Sequence, residues 1–220
     1  PTRILRAVRY EQRLDFRIDA RTLELVAGSL DLLPRVSGER IANELFLTFA
    51  EREPEKAVAR LSELGVLAAI HPALHDGQKA ADWFSRLRLG GERSEPIDYL
   101  AALTRDLEPE VALAVGERLS LSKDQKALLE QVARLREMEQ SLATPELLPS
   151  QITRRLDAYD DAALRLESLL TGDATVRERV ALYRERWRDV HPVTTGDRLR
   201  ALGMRPGPLF RTILDTLRAG

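Results

Sequence analysis

Segment after segment of this chain places its apolar residues three and four positions apart, which is the spacing of a helix face and not the alternation of a strand. Ile4, Leu5 and Val8 share one side of a first segment, and Ile41, Leu45, Phe46 and Phe49 mark a second. Val58, Leu61 and Leu64 repeat the pattern, as do Leu128, Val132, Leu135 and Met138, then Val176, Val180, Tyr183 and Trp187. Aromatic residues are only 5% of the 220, and Leu, Ala, Arg and Glu dominate. Such a composition favours helices. The spacing therefore predicts an all-α fold, with no strand-rich segment.

Caps and breakers divide the helices. Asp19 suits the N-cap of a helix running to about Ser29, with Leu23, Val26 and Leu30 on its buried side and Pro34 ending the segment. Ser37 opens the next, with Glu39 in the first turn where the helix dipole favours an acid. Pro54–Leu67 reads as one helix stopped by Gly65. Lys79–Leu89 carries Trp83 and Phe84, and Gly90–Pro96 is a loop and a candidate boundary. Pro109–Leu119 follows, then a long helix capped by Ser122. Ala143–Ser150, with two prolines, is a second linker. Short helices near 151–159 and 161–170 precede another over 176–188. The expected division is 1–74, 75–150 and 151–220.

The net charge of −1, from 34 Lys+Arg against 35 Asp+Glu, argues against a uniformly basic nucleic-acid binder. A basic face on a balanced chain remains open. Only Lys56, Lys79, Lys123 and Lys126 are lysines, so the cations are overwhelmingly arginine. Arginine makes bidentate phosphate contacts more readily than lysine. With no cysteine there is no disulfide scaffold, thiol nucleophile or thiolate zinc site. No apolar run is long enough to cross a membrane and no signal-peptide pattern is present, so the expected location is the cytoplasm.

Three places carry chemical hints. His71, His75 and Asp76 form an HD-like cluster, but Pro72 interrupts the helical spacing and the only other histidine is His191, so no metal site is expected. In the first helix Arg6, Arg9 and Arg13 form one line, and Arg3, Ala7, Tyr10 and Leu14 another. An anionic partner would relieve the repulsion of the arginines, and a solvated face accounts for them equally well. Likewise Arg177, Arg179, Arg184, Arg186 and Arg188, interleaved with Glu178 and Glu185, fit a salt-bridged surface at least as well as an RNA face. Near the end, Gly207 and Pro208 open a final helix whose free N–H groups, with Arg205 beside them, could hold a phosphate. Gly-rich nucleotide loops of the P-loop type are absent, as is the nucleophile-elbow pattern.

Arg3-Ile4-Leu5-Arg6-Ala7-Val8-Arg9-Tyr10, followed by Leu14-Asp15-Phe16-Arg17-Ile18-Asp19, resembles the neck of the bacterial tRNA nucleotidyltransferase and poly(A) polymerase family. Glu11-Gln12-Arg13 is similar to the branch with additional nucleic-acid-type and CBS domains upstream. Ser37-Gly38-Glu39-Arg40-Ile41 with Glu44-Leu45 resembles the second neck motif. Gly196-Asp197, Leu199, Leu202-Gly203 and Pro206-Gly207-Pro208 resemble the tail, from which Arg211 departs where many members have Gly. The similarity covers residues 1 to about 74 and about 196 to 217. It implies an elongated array of neck, body and tail helices, as in the C-terminal part of class II CCA-adding enzymes.

The resemblance further implies that Arg3 reads the edge of an incoming base, with Arg6 and Arg9 near the triphosphate or bracing the neck. Glu39 and Arg40 would support that helix, and Arg205 and Gly207 would contact tRNA. The family's acidic partner to Arg3 would precede residue 1, and its magnesium-holding palm lies upstream. The expectation is thus a fragment, inactive alone, of an enzyme that uses ATP or CTP to add C or A to tRNA. The alternative is a non-catalytic helical module that binds RNA or protein.

Overall fold

The structure, a computed structural model, describes residues 2–91 and 93–190 together with Arg200, Ala201, Gly203 and Gly207. Every regular element among the described residues is helical, as the periodicity predicts. The chain divides into two compact units, Pro1–Glu137 and Met138–Gly220.

The first unit contains α1 (Arg3–Leu14), α2 (Ala20–Ala27), a 3-10 turn (Leu30–Arg35), α3 (Gly38–Phe49), α4 (Pro54–Glu63) and α5 (Val66–Ile70). It continues with α6 (Gly77–Leu89), α7 (Pro96–Thr104), α8 (Pro109–Arg118) and most of α9 (Lys123–Leu142). The expected stripes meet in its core: Leu5, Val8, Ile41, Leu45, Phe49, Val58 and Leu61 are buried. Phe49, Phe84 and Tyr99 pack edge to face, with centroids 5.1 Å apart for the first pair and 4.9 Å for Phe84 and Tyr99. That geometry sets the positive ring edge against a negative face.

Local signals fare differently. Asp19 caps α2, accepting from the Thr22 N–H at 3.0 Å. Ser122 and Gln125 form a reciprocal cap on α9, at 3.3 and 3.0 Å. Ser37 holds the cap position of α3 without a side-chain hydrogen bond. Gly65 stops α4 at φ 69, a left-handed step that costs glycine little. The chain then re-enters a helix at once, so the single helix expected to reach Leu67 is two. Gly38 is needed for a close approach: a Cβ there would lie 2.2 Å from the Arg118 carbonyl oxygen. The start of α3 is thereby pressed onto the end of α8, and Arg118 also donates to the Leu33 carbonyl at 3.0 Å.

The Gly90–Pro96 stretch lies inside the first unit, where the Ser94 hydroxyl donates to the Leu87 carbonyl at 3.1 Å. Trp83 is buried beneath two cations, with Lys79 Nζ 5.3 Å and the Arg105 guanidinium 5.8 Å from its ring centroid. Lys79 and Arg136 both donate to Asp106. Burial of Asp106 works against ionisation, but these hydrogen bonds prevail and draw its carboxyl below the ordinary range.

The second unit holds the end of α9, then α10 (Pro149–Leu156), α11 (Asp161–Leu170), α12 (Ala174–Leu182) and a π turn (Tyr183–Trp187). Leu164, Leu166, Leu170, Val176, Val180 and Tyr183 form its core. Trp187, at the end of the π turn, is half-buried, although the spacing places it with the buried Val176, Val180 and Tyr183. In α9, Val132 and Leu135 of the expected stripe are buried, together with Leu129, while Leu128 and Met138 are half-buried. Arg179 donates to the carbonyls of Leu142, of Thr144 at 2.8 Å and of Pro145 at 3.2 Å, covering groups that the end of α9 leaves free. Among the described residues, no helix is long and apolar enough to cross a membrane.

Candidate nucleic-acid interface

The first helix is held by two sets of charges. Along the arginine line, Arg6 and Arg13 keep 51% and 57% of their side chains exposed, whereas Arg9 keeps 10%. Arg6 lies 3.9 Å from Glu44, and Arg9 lies 3.8 Å from Glu44 and 3.6 Å from Glu51. Arg13 lies 3.8 Å from Glu51. The order of these contacts shows α1 and α3 running side by side in the same direction. All four distances exceed hydrogen-bond length. Arg9 Nε and one Glu44 oxygen are buried with no hydrogen-bond partner. The cluster thus holds by charge attraction and not through a closed hydrogen-bond network.

The second anchor is tighter. Glu11 is 7% exposed and accepts from Arg60 Nε at 2.9 Å and from the Ile18 N–H at 2.9 Å. The hydrogen bond from Arg60 to Glu11 holds the guanidinium pKa above its ordinary value, against the effect of burial. One carboxylate therefore ties α1 to α4 and to the turn after α1. That turn is a left-handed cap: Asp15 sits at φ 52 and the Phe16 N–H donates to the Glu11 carbonyl at 3.0 Å.

The other side of α1 faces solvent. Arg3 is exposed in the first turn, and Tyr10 is 40% exposed with the Arg9 guanidinium 4.9 Å from its ring centroid. A hydrogen bond from Arg6 and the charge of Arg9 draw the Tyr10 hydroxyl pKa below its ordinary value. Beyond the C-terminal end of α1 lies an open cleft of about 380 Å³, lined by Gln12, Arg13, Asp15, Glu51, Arg52, Glu53 and Lys56.

The structure brings Arg3, Arg6 and Arg9 onto one helix but separates their settings, since Arg9 takes the bracing position and Arg3 and Arg6 the open one. Glu39 and Arg40 are exposed in the first turn of α3. The ion pairs that brace α1 come instead from Glu44, Glu51 and the Glu11–Arg60 pair. The first two were readable in principle, because Glu44 and Glu51 are seven apart, as are Arg6 and Arg13. Glu11 offered no such signal. Gly207 is exposed with nothing within 4 Å of where a Cβ would be, and Arg205 lies outside the described residues. At the HD-like cluster, Asp76 caps α6 by accepting from the Lys79 N–H at 3.0 Å, and His71 Nδ1 accepts from the Ala73 N–H at 3.2 Å. No three metal-ligating side chains converge among the described residues. On the last helix, Arg184 and Arg188 pair with Asp161 at 3.0 Å, and Arg177 donates to the Thr171 carbonyl at 2.8 Å.

Residues 15–78 match a family described as "Probable RNA and SrmB- binding site of polymerase A". An A-adding tRNA nucleotidyltransferase of Geobacter sulfurreducens is 35% identical over 98% of this chain and 26% of its own length. The chain is a relative of the bacterial tRNA nucleotidyltransferases and poly(A) polymerases. A second A-adding tRNA nucleotidyltransferase, of Halalkalibacterium halodurans, is 28% identical over 97% of the chain and 50% of its own length. The chain thus spans between a quarter and a half of the length of these nucleotidyltransferases. In fold it is similar to a CCA-adding enzyme solved in complex with ATP, with a TM-score of 0.75 and 20% identity, over the whole chain and 57% of that structure. The two stretches that resemble the family's neck motifs lie in the first unit, on α1 and at the start of α3.

Proposed function

We propose that this chain is the nucleotide- and tRNA-recognition part of a template-independent tRNA nucleotidyltransferase that adds C or A to the tRNA 3′ end. The observation that carries the reading is Arg3, exposed at the start of a helix whose arginine line is locked in place from behind. A planar guanidinium so presented can donate two parallel hydrogen bonds to a base edge. Arg6 lies beside it for triphosphate oxygens, and Arg9 holds the helix. Glu39 and Arg40 support from the open end of α3, and Arg205 and Gly207 contact the tRNA backbone. Phosphate contacts of that kind position an RNA without reading its sequence.

Among the family's activities, A addition is favoured, because of three relatives that match almost the whole chain the two more similar, at 35% and 28% identity, are A-adding enzymes, and the third, at 23%, is a CCA-adding enzyme. The substrates are then ATP, or ATP and CTP, and tRNA. A palm domain outside residues 1–220 would supply carboxylates to hold Mg²⁺, which would offset the negative charge of the nucleotide's phosphates. The helical part alone does no transfer. Residues 1–74, 75–150 and 151–220 act as neck, body and tail, in the cytoplasm.

The test uses the protein with its upstream region, tRNA lacking only the final A or the whole CCA end, and labelled ATP and CTP given separately and together. Transfer of A to the first tRNA, abolished by Arg3→Ala with tRNA affinity retained, is the expected result. Transfer of C alone would reassign the subtype. No transfer of either nucleotide, with tRNA still bound, would make the protein a non-catalytic RNA-binding module.

A further inference from the structure

The left-handed cap after α1 leaves an anomaly. In such caps the residue after the left-handed one commonly packs its apolar side chain against the residue five positions earlier. Here those residues are Phe16 and Glu11, and Glu11 is buried in its ion pair with Arg60. Phe16 has no apolar partner there and stands 66% exposed, beside Leu14 at 49% and Tyr10 at 40%. Three large apolar side chains within seven residues are thus open to water. Arg6 and Arg13, half-exposed or more, and the exposed Arg17 border them. One face of the Tyr10 ring already carries the Arg9 guanidinium.

Aromatic rings interleaved with arginines match the needs of a single nucleic-acid strand, whose bases offer flat apolar faces and whose phosphates carry the charge. In a duplex those base faces are hidden in the stack, so the match is to an unpaired strand. Phe16 and Arg17 also fall inside residues 15–78, the stretch that resembles an RNA-binding family.

We propose that Tyr10 and Phe16 form a stacking strip for unpaired RNA bases, with Arg6, Arg13 and Arg17 taking the flanking phosphates. The inference rests on the reading of this chain as an RNA-recognition part and adds to it a site for a single-stranded segment. Leu14, four residues after Tyr10 on α1 and 49% exposed, adds apolar surface next to that ring. The strip is sequence-tolerant, because every base has a face to stack, and its affinity falls as salt rises.

The experiment measures fluorescence anisotropy of the 220-residue chain with two labelled RNAs at fixed salt, an unstructured A/C strand of about ten nucleotides and a closed hairpin duplex. Tyr10→Ala and Phe16→Ala are each expected to weaken single-strand binding about tenfold, and Tyr10→Phe and Phe16→Trp to keep it. Hairpin affinity should change by less than about twofold, since a duplex hides its base faces. Both side chains are exposed, so thermal unfolding of the variants should match the wild type and separate a lost contact from a lost fold. Single-strand affinity unchanged in the double alanine variant overturns the strip and leaves the nucleotidyltransferase reading standing. A wild-type chain that binds neither RNA overturns the strip, while the transfer assay with the upstream region present judges that reading independently. Concentration-dependent self-association of the wild type, abolished by Phe16→Ala without any change in RNA affinity, would make the patch an interface between copies.

Discussion

Two arginine–carboxylate sites, one in each unit, are put to opposite uses. In the first, Arg9 and Arg60 reach inward to carboxylates that are themselves mostly buried, and those contacts fix where α1 lies. In the second, Arg184 and Arg188 share Asp161, whose side chain is 52% exposed. Water screens the second arrangement, and it adds little to stability. The first cannot be broken on one side without leaving a charge in a poorly solvated place. A buried ion pair is a modest source of stability but a strict one of position, and a helix presenting a recognition side chain needs position.

The sharpest way to break this contrast is Glu11→Gln, which leaves Arg60 facing a neutral partner. Arg60 retains 26% of its exposure, so the loss should fall at about 2–3 kcal/mol, read as a drop in the urea midpoint of the first unit. A loss no greater than that of Asp161→Asn would dissolve the distinction. Next comes Gly38→Ala, where a methyl would meet the Arg118 carbonyl at 2.2 Å. The expected cost is about 2 kcal/mol, because backbone has to move. Gly172→Ala in the second unit, with nothing within 4 Å, should be close to neutral in the same assay. Asp161→Asn itself should cost less than about 1 kcal/mol and lose even that at high salt.

The smallest effect separates the units by pH. Burial, and then the charge of Arg118, hold the His71 pKa below its ordinary 6.5. The neutral ring is favoured by the fold, so this part of the stability is present above pH 6.5 and is lost as pH falls through the folded value. Hydrogen bonding from Arg184 holds Asp161 below its ordinary 3.8. Its contribution is intact above pH 3.8 and disappears only as pH falls through the lower folded value. Between neutrality and pH 5 the first unit should therefore soften before the second. His71→Asn should flatten that slope, as followed by chemical denaturation at stepped pH.

Periodicity carried most of the architecture, because a helix face is a local pattern: Ile41, Leu45 and Phe49, and likewise Val176, Val180 and Tyr183, are buried as spaced, with Phe46 half-buried at the edge of the first stripe. At Gly65 pattern alone extended a helix through a break, whereas the helix expected over 176–188 runs on through the π turn at Tyr183–Trp187. The site was half legible. Motif resemblance found α1 and α3, but spacing put Arg9 with Arg6 on one basic face. Only the neighbouring Glu44 and Glu51 distinguish a brace from an open cation, and they meet α1 through tertiary packing. Glu11–Arg60 spans 49 residues of sequence, and no periodicity reports such a distance. The exposure of Phe16 is equally invisible to periodicity, because it depends on Glu11 being drawn into the pair with Arg60.

The setting of Trp83, buried between Lys79 and Arg105, has a spectroscopic consequence. The chain has two tryptophans, and the other, Trp187, is half-buried in the second unit. Each unit thus carries one tryptophan, which can be excited apart from the tyrosines, and the two sit in different surroundings. Replacing either with phenylalanine leaves an optical reporter for one unit alone, so the melting of each can be watched without attaching a dye.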